Sequence, residues 1–339
     1  MKAFKKKNGI ESRLAQAGIR MVLPSMLIIA VFTIYPIFQS LIMSFTNWNI
    51  LKNTRKFVGL NNYIRMFADE RFLNALKNTV EYTLLYVPLL LLLCILFAAL
   101  INFRFKGASF YKSVMFVPAV TSMAIIAIIF RYILDGNIGI IPLWLKKFGV
   151  IAPDFLRDEH TAMGAVIFTS LWRWTGFNMV IILAGINAIP ESLYEASAID
   201  GAGNVKQFFS VTLPLIAPSV SFVLITNIIS SFQVFDQVYV MTKGGPMFRT
   251  EVLVYYIYYQ GFTVYNMGYA SAMAFFPFPD RSILHRLPAE GLQPSGIQFG
   301  GISHEKQIIQ GLEYFLVHRV CRRQRGFYAS ADLDAPVFL

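Results

Sequence analysis

The chain has 339 residues, 56% of them hydrophobic and only 14% charged, with a net charge of +11. That balance is far from a soluble domain's. Lys and Arg gather at the N-terminus, around Arg104, Lys106 and Lys112, and in the tail, which suits the loops of a membrane protein better than a nucleic-acid-binding face. No Gly-x-x-x-x-Gly-Lys-Ser/Thr phosphate loop, His-Glu-x-x-His, Cys-x-x-Cys or Gly-x-Ser-x-Gly pattern occurs, so P-loop ATP binding is excluded and no catalytic or metal cluster is offered.

Crossing a bilayer as helix takes about 20 apolar residues. Such runs lie near 21–45, 76–102, 112–134, 161–188 and 215–240. The first follows Lys2, Lys5, Lys6, Lys7 and Arg13, the start expected of a signal peptide. It is too long and lacks an Ala-x-Ala-like end, so it reads as a retained span. The 46–75 loop carries Lys52, Arg55, Lys56, Arg65 and Arg71, against the charge rule if the N-terminus is internal. Within 57–79, Tyr63, Ile64, Phe67, Phe72, Leu73 and Leu76 suit a helix lying on the membrane surface. Cys94 falls in the second run as a small packing residue, and Cys321 lies in the tail. Gly136, Gly139, Pro142 and Pro153 mark 135–160 as a second external loop.

The fourth run carries Trp172, Arg173, Trp174 and Asn178. The fifth carries Asn227, Ser230, Ser231, Gln233 and Asp236. Polar groups at membrane depth mark either a solute path or helix-to-helix hydrogen bonds, and tryptophans also form interfacial belts. Asn227, Ser230, Ser231 and Val234 recur at helical spacing, which predicts that some of them share one inward face.

Between these runs lies a polar, small-residue segment. Pro190 suits a first helical turn, Glu191 and Glu195 favour a helix N-terminus, Ala196, Ser197 and Ala198 keep its surface thin, and Gly201 suits a left-handed cap. A second short helix with Val205, Phe208 and Phe209 leads through Leu213-Pro214 into the next run. This segment resembles the EAA loop of ABC-importer permeases: Glu-Ala-Ala, three residues, Gly, nine residues, then Ile-x-Leu-Pro. Glu195, Ala196, Gly201, Leu213 and Pro214 match at that spacing, while Ser197 and Val211 replace an Ala and an Ile.

The likeness covers about residues 15–275 and is closest to carbohydrate permeases of the maltose and glycerol-phosphate type. It implies an all-α integral membrane protein with about five clear transmembrane helices, a disrupted sixth, and a cytoplasmic coupling helix. It implies the permease subunit of an ATP-driven, binding-protein-dependent importer for a sugar or related carbohydrate, with an ion-coupled secondary transporter as the alternative. ATP hydrolysis then falls to a partner, and no cofactor is expected. The implied partners are an ABC ATPase dimer docked through Glu195, Ala196, Ser197, Gly201, Leu213 and Pro214, a second homologous permease, an extracytoplasmic solute-binding protein and the bilayer of a bacterial inner membrane. Trp172, Trp174, Asn178, Asn227, Ser230, Gln233 and Asp236 are the substrate-path candidates.

Domains are expected at 1–20 (cytoplasmic segment), 21–275 (transmembrane domain) and 276–339 (an atypical, poorly ordered tail). The family's sixth apolar helix begins at Met267 but here meets Pro277, Pro279, Asp280 and Arg281. Codons for Pro277 to Ser282, read one base later, can spell Leu-Phe-Leu-Ile-Val-Leu, which permits a reading-frame error near codon 276 as the origin, with a genuine divergent tail as the alternative. Ile308 to Val317 suits a short helix, too short to span.

Overall fold

In a medium without water every backbone N–H and C=O must find its partner inside the chain, and apolar runs meet that demand as helices. The computed structural model describes residues 9–52, 55–102, 107–150 and 153–276. Among these it holds helices and two isolated bridges, Thr46 with Phe57 and Asn49 with Asn266, and no sheet. The tail after Phe276, with Cys321, the 308–317 segment and the frame-error expectation, lies outside the described residues.

Helix α1 (residues 9–44) runs through a wider π-type turn at Ala30–Ile34, and its Gln16–Ser44 part is long and apolar enough to span. Helix α2 is Asn61–Ala68 and α3 is Glu70–Asn102. The expected surface helix of 57–79 is therefore shorter than its pattern: Asp69 turns extended (ψ 101°) and a new helix starts, so Ile64 and Phe67 stay exposed while Phe72 is buried. Helices α4 (Ala108–Val120) and α5 (Met123–Ile133) meet at 100°. The run 112–134 is thus a broken pair; Thr121 and Ser122 are extended just past Pro118, which removes one helix hydrogen bond. Helix α6 (Ile140–Lys147) lies in the 135–160 loop, and α7 is Ala162–Asn187.

Helix α8 is Glu191–Ile199, α9 is Asn204–Leu215 and α10 is Ala217–Phe232. Helices α9 and α10 bend by 63° at Ile216. Helical structure stops again at Gln233 and resumes in α11 (residues 236–242), so the run 215–240 is also interrupted. Helices α12 (residues 253–263) and α13 (Met267–Ala274) follow.

The core is built on α3. Tyr82, Tyr86, Leu90, Cys94 and Ala98 recur every four residues and are all buried, facing Val166, Met179 and Ile182 of α7 and Val223 of α10. Residues four apart share a helix face, which is why this stripe seals one seam. Cys94 packs there, donating its S–H to the Thr175 carbonyl at 3.4 Å. Two glycines permit close approach. A methyl group on Gly176 would strike the Met115 carbonyl of α4, and one on Gly268 of α13 the Thr46 carbonyl. Among the residues of α1 whose side chains are described, only Ser44 is buried.

Gly164, on the same helix as Gly176, has open space around it. Exchanging Gly for Ala in a helix ordinarily stabilises by about 1 kcal/mol, whereas overpacking costs about 1–3 kcal/mol. Gly164→Ala is therefore expected to raise the thermal midpoint of the detergent-solubilised chain and Gly176→Ala to lower it. Equal shifts in both would refute the close α4–α7 contact.

Candidate functional site

One end of the bundle carries helix α8. Pro190 is its last non-helical residue (φ −58°, ψ 133°), one position earlier than the first turn. Glu191 opens the helix beside its positive end. At the other end Gly201 adopts φ +76°, its N–H donates to the Ala198 carbonyl at 3.0 Å, and the Ala202 N–H reaches back to Ser197 at 3.0 Å. That paired return is a Schellman cap, and only glycine takes this φ without strain.

No residue of α8 is buried. Glu195 and Ala196 are exposed, Ser197 is half-buried with its hydroxyl on the Tyr194 carbonyl, and Ile199 is 87% exposed. Tyr194, which sequence reasoning passed over, is the tether: its hydroxyl pairs with Thr212 at 2.9 Å and its carbonyl accepts from Gln207 at 3.2 Å, both on α9. Leu213 and Pro214 lie off α8, in the last turn of α9 beside the 63° bend. A cavity of about 660 Å³ separates this corner from α3 and α7, lined by Asn102, Asn187, Glu191, Tyr194 and Gln207.

Mid-bundle, Asn178 and Asn227 are brought together. The Asn227 amide donates to Asn178 Oδ1 at 2.9 Å and to its own helix at Val223, and its oxygen accepts from the Tyr86 hydroxyl at 3.3 Å. Ser231 pairs with Thr83 at 2.9 Å, and Gln237 donates to Ser170 at 3.0 Å and Tyr82 at 3.4 Å. Tyr82, Thr83 and Tyr86 were legible only as polar interruptions, one and three residues apart, in a Leu-rich run.

The four residues grouped by that spacing divide by burial. Asn227, Ser231 and Val234 are buried, but Ser230 is exposed, together with Gln233 and Asp236. A residue next to Ser231 points about 100° away on the helix, and the stop at Gln233 resets the register beyond it. Trp172 stays apart, 46% exposed against Phe130. Trp174 is half-buried beneath the Arg173 guanidinium, which lies 4.2 Å from its ring.

The opposite end is held by charge. Arg71 of α3 grips Glu251 with two hydrogen bonds of 2.8 Å, and Glu251 is wholly buried. Asn78 fastens the same loop through the Phe248 and Glu251 carbonyls. Asp69 accepts the Tyr256 and Tyr269 hydroxyls, each at 2.7 Å, and the N–H groups of Arg71 and Phe72. Burial pushes its carboxyl up, but these four donors outweigh burial and hold it below the ordinary carboxylate value.

A carboxylate depressed in the fold contributes stability that is complete above its unfolded value, about 3.9, and is lost as pH falls through the lower folded value. The thermal midpoint should therefore drop below about pH 4, and Asp69→Asn should remove that part of the acid dependence. An unchanged acid profile would contradict the assignment. In the centre, an Asn178→Ala and Asn227→Ala double-mutant cycle, read by unfolding in detergent mixtures, should give a coupling of about 0.6 kcal/mol and at most about 1.7. Additive effects would show that the two amides do not share a bond.

The description "binding-protein-dependent transport system inner membrane component" is that of the family matching residues 67–278. The chain is 35% identical over 253 residues to the probable ABC transporter permease protein YurN of Bacillus subtilis, covering 73% of this chain and 86% of that protein. It is 32% identical over 255 residues to the sn-glycerol-3-phosphate transport system permease protein UgpA of Escherichia coli, covering 75% and 86%. A chain in the crystal structure of a bacterial ABC transporter involved in importing the acidic polysaccharide alginate superposes with a TM-score of 0.74 at 22% identity, over 83% of this chain and 96% of that one, which shows a common fold. The chain belongs to the family of inner-membrane components of binding-protein-dependent transport systems.

Proposed function

We propose that this chain is the carbohydrate-importing permease subunit of a bacterial ABC transporter, docked to its ATPase through α8. It is a multi-pass inner-membrane protein of the permease class, and nothing in its fold or relatives favours the ion-coupled alternative. The observation that carries the docking assignment is α8 itself. A nine-residue helix with no buried residue, capped at Gly201 and inserted between two helices of the bundle, has no packing reason to exist. It suits a surface gripped by another protein. In this reading α8 faces the cytoplasm, Glu195 is offered to a basic ATPase partner, and Leu213-Pro214 set the bend that passes ATPase movement into α10.

The reading also includes a second homologous permease, an extracytoplasmic solute-binding protein, and five spans with α4/α5 and α9/α10 each counted once, plus a sixth opening at α13. The family match ends at residue 278, close to where the apolar pattern fails, which supports the frame-error account of the tail. Sequencing the gene tests that account: no single-base shift near codon 276 restoring an apolar run would refute it. The solute path runs past Asn178 and Asn227, with Trp172, Trp174, Ser230, Gln233 and Asp236 lining its approaches.

Gly201→Trp forces a side chain onto a left-handed backbone, and Glu195→Lys reverses the docking charge. Both are expected to insert normally yet lose capture of the cognate ATPase and with it uptake; capture at wild-type yield would sink the docking assignment. Asn227→Ala and Gln233→Ala are expected to lower uptake or relax selectivity with ATPase capture intact. Cysteines at 227 and 233 that small polar thiol reagents reach in no transport state would place these residues outside the path.

A further inference from the structure

A charge at membrane depth is kept only when it is paired or faces a water-filled path. Arg173 lies near the middle of α7 (Ala162–Asn187), and its Nε and Nη1 are shielded from solvent without a hydrogen-bond partner. Its guanidinium stacks over Trp174 at 4.2 Å. Stacking occupies one face of the guanidinium, while its donors point outward in the plane and stay free for an acceptor. The Asp236 carboxylate and the Tyr86 hydroxyl lie within its electrostatic reach, and Tyr86 belongs to the Asn178–Asn227 network. Asp236 forms no ion pair with Arg173; the salt bridges of the described residues lie elsewhere.

A cation with unsatisfied donors, stacked on an aromatic ring and within electrostatic reach of Tyr86 in the mid-bundle polar cluster, is suited to an anionic oxygen. We propose that Arg173 is a specificity-determining residue that binds the carboxylate or phosphate of an anionic carbohydrate while Trp174 sits beside the sugar. The inference deepens the importer reading and rests on it. Carboxylate and phosphate oxygens satisfy a guanidinium equally well, so the shared chemistry is the anionic oxygen.

The test is ATP-driven uptake by proteoliposomes holding the full chain with its cognate ATPase, second permease and binding protein. The solutes are a uronate disaccharide, sn-glycerol-3-phosphate and maltose. The wild type is expected to take up at least one of the two anionic solutes, the one accepted naming carboxylate or phosphate, and to be competed by that solute and not by maltose. Arg173→Gln is expected to reduce that uptake at least tenfold with ATPase capture unchanged, and Arg173→Lys to restore part of it. Asp236→Asn, which removes a competing carboxylate from the path, is expected to lower the KM for the anionic solute.

Uptake of maltose alone by the wild type would overturn the inference while leaving the importer reading standing. Loss of ATPase capture in Arg173→Gln would assign Arg173 to structure and overturn it. Asp236→Asn failing as badly as Arg173→Gln would indicate an internal ion pair and overturn it too. If Arg173→Gln does not fold, wild-type competition decides. No ATP-dependent uptake of any solute would remove the importer reading and this inference together.

Discussion

Three helices meet at one amide. Asn227 of α10 binds Asn178 of α7 and Tyr86 of α3, and its second amide hydrogen returns to the α10 backbone. In water, apolar faces would drive these helices together. In a bilayer, lipid is as apolar as leucine, so packing and interhelical hydrogen bonds set which faces meet. An Asn turned to lipid leaves its polar groups unsatisfied, so rotating α10 by one residue is disfavoured. The Ser231–Thr83 pair, one turn further on, repeats the constraint, and Gln237 with Ser170 and Tyr82 extends it past the break. The register of the three central helices follows from these pairs, and the apolar stripe of α3 then fills the seam they define.

The two ends of the bundle are built on opposite principles. At one end a buried ion pair, its aromatic neighbours and a doubly bonded aspartate fix the start of α3 to the chain around 248–269. Breaking such a pair leaves a buried charge alone, at about 3–5 kcal/mol, so this end resists local opening. At the other, α8 holds on through Tyr194 and little else, beside a cavity. A segment with few buried contacts belongs to the low-stability part of a fold, the part that moves. The bundle is thus firmly fixed at one end and loosely tethered at the other. The bends at Ile216 and at 233–235 divide the intervening run into stiff pieces that can tilt separately.

How much of this was legible in the sequence depends on what each feature is made of. The capped helix at 191–201 was readable because its signals are local: a proline before the first turn, acids near the start, and a glycine where φ must be positive. The apolar helices were readable because length and composition alone decide them. The breaks at Thr121-Ser122, Ile216 and Gln233 were not: Pro118, Pro214 and Pro218 stand beside the first two, but a count of apolar residues does not register a bend. The inward face of α10 was half-legible: spacing grouped Asn227 with Ser230 and Ser231, but only the partners on α3 and α7 separate Ser231 from its exposed neighbour. Tyr194 and Arg71 were invisible as anchors because their partners lie 18 and 180 residues away.

The contact between α13 and the end of α1 shows how a helix that buries little is held in place. Helix α1 buries almost nothing, so hydrophobic burial cannot fix its position. What does is close backbone approach: Gly268 lies on the Thr46 carbonyl, its N–H donates to Trp48, and Asn62 of α2 clasps the Ser44 and Thr46 carbonyls. Small residues permit such approach in membranes where larger ones forbid it. Helix α13 (Met267–Ala274) is therefore the seat for the end of α1, held by a backbone approach that eight residues suffice to provide.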